Sequence, residues 1–420
     1  MADFANDWSP TKALRPALLT VAIFFTSLVY LSFPNRVHRY EAAAIVGALA
    51  GAAWFNSDEL FPDSFVELVY LRTLVIYLSY FLYLVFREEK SSTKTATIHD
   101  AFLSPPKNPW LRGYKLLFNG RGIGTDWQMP YLWRNVPDSH STNGRRDVIA
   151  KSSAKAKLHS RGRWAGVAVR VAYLLLNFTV FCIYYEILDP ALWVQLRPSD
   201  TTKEKESVFL RAIQLSLGNE TLPQFTRREL GVRLWAVAAS VVHDYLILSM
   251  YHDIFAIIFI ASGLDEDWEW PPLFGPITEA YTMRRYWSIF WHRLIYKSFN
   301  VHAAALLGCL GMNHRTALHR FLKNSLVFLL SAVNHALISW RVGDRCAGRD
   351  AKYWLLQPIA FVVEGLVAYH WKKLRSNWLT KAHPKMVSTF ERCAGYVWVF
   401  LWLLWCTPKA RFPMVFCEVE

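Results

Sequence analysis

The sequence predicts an all-α integral membrane protein with about eight or nine transmembrane helices and an in-plane amphipathic helix, taking a span as roughly 20 apolar residues. Three observations carry this reading. Of 420 residues, 53% are hydrophobic and 15% aromatic against 19% charged, more apolar surface than a soluble core would use. Apolar runs long enough to cross a hydrocarbon core of roughly 30 Å recur along the chain. The net charge of +14 sits between those runs, where anionic lipid headgroups are a simpler partner than nucleic acid. The same balance argues against a soluble enzyme and against a disordered chain.

The first run, Leu14 to Phe33, is long enough to span, and Asp3 and Asp7 stand where a signal peptide carries positive charge. It reads as the first transmembrane helix. Full-length candidates follow at Phe65 to Phe86, Ala165 to Leu188, Leu230 to Met250, Phe321 to Trp340 and Tyr353 to His370. Ala42 to Phe55, Ile254 to Gly263, Phe299 to Gly311 and Gly395 to Trp405 are shorter, and are expected to be re-entrant, tilted or extended by their flanks. With no internal repeat or low-complexity tract, residues 1–420 read as one polytopic domain.

Two interruptions stand out. Residues 87–163 hold 15 Lys or Arg against 6 Asp or Glu and end in Lys151, Lys155, Lys157, Arg161 and Arg163 just before a span, which places this segment on the cytosolic side. Its tryptophans and tyrosines, Trp110, Tyr114, Trp127, Tyr131 and Trp133, argue against a disordered linker. Residues 265–298 begin with an acidic, Trp-rich stretch and the helix-breaking pair Pro271 and Pro272. From about Thr278 the spacing is helical, with Met283, Tyr286, Trp287, Phe290, Trp291 and Leu294 on a broad aromatic face and Arg284, Ser288 and His292 at four-residue steps on another. The pattern fits a helix lying in the interface, and a peripheral anchor without chemistry fits it equally well.

Several chemistries are removed by what the spacing lacks. The six cysteines are scattered without a CxxC, and the 13 histidines form no HxxxH or HxxHH box, so neither a zinc site nor a di-iron centre is signalled and no metal is expected. No GxSxG elbow marks a serine nucleophile. What remains is His335, an ionisable group inside the apolar run FLKNSLVFLLSAVNHALISW. Such a residue faces a cavity or a partner rather than lipid. On a helix, Asn324, Ser331, His335 and Ser339 share one stripe that would line a polar chamber in a helix bundle, or would serve to hydrogen-bond helix to helix.

The stretch EAYTMRRYWSIFWHRL, followed about forty residues later by FLLSAVNH, resembles the membrane-bound O-acyltransferase family in its wax-synthase-like branch. The upstream string RGIGTDW, Arg121 to Trp127, resembles the same branch, and the likeness covers residues 115–340 in matching order. It implies a multi-helix fold enclosing a reaction chamber. It also implies that His335 is the catalytic histidine and His292 the second polar catalytic position, asparagine in many relatives. Arg284, Arg285, Trp287 and Trp291 match framing positions of the motif, and with Asn324, Ser331 and Ser339 are the candidate substrate-binding residues. Imidazole suits base catalysis near neutral pH. No cofactor is implied, but acyl-CoA, in particular acetyl-CoA, is the expected co-substrate, a hydrophobic alcohol the acceptor, and the endoplasmic reticulum the expected location.

By this likeness, acetyl transfer to a terpenoid-type secondary metabolite is preferred to wax synthesis on a long-chain alcohol. A transporter with His335, His243 and Asp244 as a relay is the reading from another class, though no inverted repeat supports it. A prenyltransferase would need Asp-rich magnesium motifs that Asp265 and Asp267 do not supply.

Overall fold

Long helices build nearly all of the structure. The computed structural model describes residues 9–34, 38–60, 64–87, 102, 104–133, 145–188, 196–219, 221–313, 315–344, 347–378 and 384–416. In chain order the helices are α1 (Pro10–Ser32), α2 (Arg39–Phe55), α3 (Ser57–Leu60), α4 (Ser64–Phe86), α5 (Pro109–Leu117), α6 (Arg145–Leu158) and α7 (Arg163–Ile183). After them come α8 (Lys203–Glu206), α9 (Val208–Ser216), α10 (Arg227–Ala261), α11 (Met283–Arg285) and α12 (Tyr296–Cys309). The last four are α13 (Ala317–Arg341), α14 (Ala351–Trp378), α15 (Pro384–Cys406) and α16 (Pro408–Phe416).

The helices start where capping chemistry allows. Ser9 accepts the Lys12 N–H ahead of Pro10 in α1, Thr226 accepts the Glu229 N–H at the start of α10, and Thr316 accepts the His319 N–H at the start of α13. Each hydroxyl satisfies a backbone donor that has no partner within its helix. Six of the described helices are long and apolar enough to cross a membrane: α1, α4, α7 with its continuation to Glu186, α10, α13 and α14. Leu175, Leu176 and Phe178 of α7 are exposed, as lipid-facing side chains would be. The chain is an integral membrane protein.

The shorter runs of the sequence are extended by their flanks into longer helices. Leu230–Met250 and the run from Ile254 fall in one 35-residue helix, α10, which ends at Ala261; Asp253, which separates them in sequence, is buried against Arg170 at 3.0 Å. Ala42–Phe55 lies in α2, of 17 residues, Phe299–Gly311 begins in the 14-residue α12 and runs two residues past its end at Cys309, and Gly395–Trp405 lies at the end of α15.

The described chain divides into two compact units. The first comprises Met1–His159, Leu294–Lys323 and Leu337–Asp344, and its core gathers Ile23, Leu31, Val46, Phe81, Leu84 and Leu116. Arg341 is held there by the carbonyl of Trp54 at 2.9 Å and by Asp58 at 2.5 Å. The second comprises Ser160–Arg293, Asn324–Ala336 and Arg345–Glu420. In it α7 packs along α10 through the Arg170–Asp253 pair, and a buried ionic cluster closes the start of α10: Arg211 and Arg233 both meet Glu229, at 2.5 and 3.1 Å. Buried charges at this depth persist only when paired.

Candidate active site

The motif segment is short and buried, not a long interfacial helix. After single 3-10 turns at Asp267–Glu269 and Ile277–Glu279 it is helical over α11 and a π-turn, Tyr286–Phe290, after which Trp291 turns extended at φ −65° and ψ 151° before α12 begins. The apolar side chains explain the break: Met283, Tyr286, Ile289, Phe290 and Trp291 are all buried, and a wider π-turn swings them inward together. Arg284, Ser288 and His292 therefore do not share one helical face. The surroundings of the buried Tyr286 phenol push its pKa well above the usual range, burial foremost.

Helix α14 holds this segment from one side. Its Glu364 carboxylate accepts the backbone N–H groups of Met283 and Arg284, the latter at 3.3 Å, and the Trp398 indole N–H of α15 at 2.9 Å. One turn pair nearer the start of α14, the fully buried Gln357 accepts the Trp287 indole N–H at 3.1 Å. Trp287 thus stands between Phe328 of α13, at a ring separation of 5.5 Å, and Trp354 of α14, at 5.7 Å.

His335 lies on α13, half-buried. Its imidazole rests on the Trp354 ring at 4.7 Å and an interplanar angle of 30°, and its Nδ1 faces Asp350 Oδ2 at 3.7 Å. The same oxygen receives the Trp354 indole N–H at 3.3 Å. An aromatic relay runs onward from His335 through Trp354, Trp287 and Trp291 to His292, with successive ring separations of 4.7, 5.7, 5.9 and 5.7 Å. His292 also meets Phe274 edge-on at 5.9 Å.

The other sequence candidates divide by what they touch. Arg285 binds the Glu279 carboxylate and covers the Tyr281 ring at 4.7 Å, so it staples the motif loop. The Arg284 side chain is exposed while its backbone N–H goes to Glu364. Ser331 is buried and donates its hydroxyl to the Val327 carbonyl of its own helix at 3.1 Å, which turns it to helix packing. Asn324 is half-buried in the second unit, whereas Ser339, one turn beyond His335, falls in the first. Of the residues invoked for a relay, His243 meets the Tyr185 hydroxyl at 2.5 Å and Asp244 faces Arg411 at 3.9 Å.

The RGIG string is a built turn of the first unit. Asn119 bonds both the N–H and the C=O of Ile123 at 2.7 Å, and Thr125 donates to the Gly122 carbonyl at 2.6 Å. Gly122 has φ +67°, and a Cβ there would come within 2.4 Å of the Trp127 ring.

Comparison with known proteins bears directly on this arrangement. The acetyltransferase ataH of Aspergillus terreus is 27% identical over 74% of this chain and 91% of its own length. The acetyltransferase atnC of an Arthrinium species is 24% identical over 74% and 65%. The acetyltransferase aurG of Calcarisporium arbuscula is 30% identical over 42% of each chain. No solved structure matches the chain. The profile of the membrane bound O-acyl transferase family matches residues 270–363, the stretch that holds the buried motif, His292, His335 and Asp350. The chain is thus similar to the membrane-bound O-acyltransferase family over that stretch and to fungal acetyltransferases over most of its length.

In this acyltransferase the residues that position the motif were not visible in the sequence. Gln357, Asp350 and Glu364 sit in or beside an apolar run, and the available signal was the cost of a polar or charged group within such a run. Among the described residues, no group of three or more His, Cys, Asp or Glu is placed to hold a metal ion.

Proposed function

We propose that this acyltransferase moves an acetyl group from acetyl-CoA to a hydroxyl of a hydrophobic secondary metabolite such as a terpenoid, in the endoplasmic reticulum membrane. The observation that carries the reading is the placement of His335: an imidazole on an apolar helix, stacked on Trp354 and facing Asp350, inside the stretch that matches the family. The names of the fungal relatives, each an acetyltransferase, support the acetyl donor.

In this reading Nδ1 of His335 faces the carboxylate and Nε2 takes the proton of the acceptor hydroxyl as its oxygen attacks the thioester carbonyl. The C–S bond breaks, the proton passes to the departing thiolate, and the products are the ester and free CoA. His292 polarises the thioester oxygen. No covalent acyl-enzyme is required. Asn324, Trp287 and Trp291 are assigned to the acceptor, since flat indole faces suit a polycyclic alcohol.

Microsomes carrying the wild-type chain or His335→Ala, incubated with terpenoid and long-chain alcohols and with acetyl- or palmitoyl-CoA, test this by product mass. A His335-dependent gain of one acetyl on a terpenoid alcohol is expected, with the variant slower by about 10²- to 10⁴-fold. Palmitoyl transfer to a fatty alcohol would make the chain a wax synthase instead. Undiminished turnover by a correctly inserted His335→Ala variant removes His335 from the chemistry.

A further inference from the structure

Asp350 closes the loop between α13 and α14 and is the last residue before α14; Trp354 lies one turn into that helix. The pair share a division of labour that the sequence pattern does not announce. Trp354 donates its indole N–H to Asp350 Oδ2 at 3.3 Å, fixing the carboxylate, and its ring lies against the His335 imidazole at 4.7 Å, fixing the plane. The fixed oxygen stands 3.7 Å from His335 Nδ1. His335 and Asp350 are 27% and 15% exposed in their side chains, so their attraction is only partly screened by solvent. A carboxylate beside one ring nitrogen favours the tautomer that carries its proton there, which leaves the other nitrogen as the base. At 3.7 Å the contact is longer than a hydrogen bond, as catalytic pairs often are before substrate closes the site.

We propose that Asp350, held by Trp354, is the positioning residue for His335: it selects the Nδ1–H tautomer and aims Nε2 at the acceptor hydroxyl. The inference rests on the reading of His335 as the base. It assigns Asp350 no contact with substrate, so its loss acts on turnover and not on binding.

The test uses the full chain in membranes, with Asp350→Asn, Asp350→Glu and Trp354→Phe measured for kcat, KM for both substrates and thermal midpoint. Asp350→Asn, nearly isosteric, is expected to lower kcat on the order of 10²-fold with KM unchanged, because a misaimed base loses the aligned geometry. Asp350→Glu keeps a carboxylate and recovers part of that loss. Trp354→Phe keeps a stacked ring but removes the N–H, giving a smaller loss in kcat, and it carries the test if Asp350→Asn fails to insert. Wild-type kcat in Asp350→Asn, a change in KM alone, or a loss that Asp350→Glu deepens and Trp354→Phe does not share overturns the inference. His335→Ala distinguishes the two levels: if it is inactive while Asp350→Asn turns over normally, only the role of Asp350 falls; if it is fully active, the assignment of His335 falls.

Discussion

The indole N–H of Trp287 and the side-chain oxygen of Gln357 lie 3.1 Å apart, and Trp402 brings a second indole N–H to that oxygen at 3.4 Å. One amide, fully buried, thus ties the motif segment to α14 and α15. Gln357→Leu keeps the volume but strands two indole donors, at a cost of about 1–3 kcal/mol for each one left unsatisfied. The expected outcome is a thermal midpoint lower by several degrees in detergent and a fall in kcat, since Trp287 also packs against Trp354 beneath His335. Unchanged values for both would show that packing alone holds Trp287.

Glu364 makes the second attachment of the motif to α14. Its carboxylate takes two backbone donors at the start of α11, which has no preceding turn to satisfy them, and the Trp398 indole. Glu364→Ala opens all three, each a charge-assisted bond of roughly 1.5–3 kcal/mol. Activity should drop by at least tenfold while membrane insertion persists, and Glu364→Gln, which retains one oxygen acceptor, should recover part of it. The comparison needs initial rates normalised to folded protein by size-exclusion chromatography; equal rates for Ala and Gln would argue against the bonds.

Two glycines make the close approach of the motif possible. A Cβ on Gly275 would sit 2.2 Å from the Ile289 carbonyl oxygen, and one on Gly395 would sit 2.1 Å from that of Tyr281. Both obstacles are backbone, which cannot rotate away. Gly275→Ala and Gly395→Ala should each displace the π-turn and depress turnover, whereas Gly47→Ala, with nothing within 4 Å, serves as the neutral control. Limited proteolysis of the loop before α11 and kcat would report the displacement, and a Gly395→Ala protein indistinguishable from the Gly47→Ala control would refute it.

The parts of this architecture readable in the sequence were those governed by local periodicity. The long apolar runs became membrane-length helices, and the placement of His335 on α13 followed from the length of its run. The motif was misread where tertiary packing overrode period: regular four-residue spacing suggested one extended helix, but burying Tyr286, Phe290 and Trp291 together required a π-turn and an extended Trp291. Asp350 illustrates the other limit. It lies 15 residues from His335 in sequence, and only the reversal of chain between α13 and α14 brings its oxygen to the imidazole.

Lys409, on α16 and outside the six membrane-length helices, provides a pH test of the buried ionic cluster. Its ammonium donates to the carbonyls of Trp405 at 3.1 Å and Glu206 at 3.3 Å, and burial pushes its pKa from 10.5 down to about 8. Arg233 and Lys352 push in the same direction, while Glu206 and Cys406 oppose it. Because the folded value lies below the unfolded one, the unfolded chain binds more protons between about pH 8 and 10.5. Stability carried by this group therefore rises as pH climbs through that window, and the full penalty for burying the charge is present below it. The difference in thermal midpoint between wild type and Lys409→Met, followed from pH 7 to 9.5 in one detergent, isolates the effect from other titrating groups. Wild type should gain on the variant as pH rises. A difference that stays flat across the window would mean that Lys409 remains charged in the folded protein, its ammonium fully compensated by Glu206 and the two carbonyls.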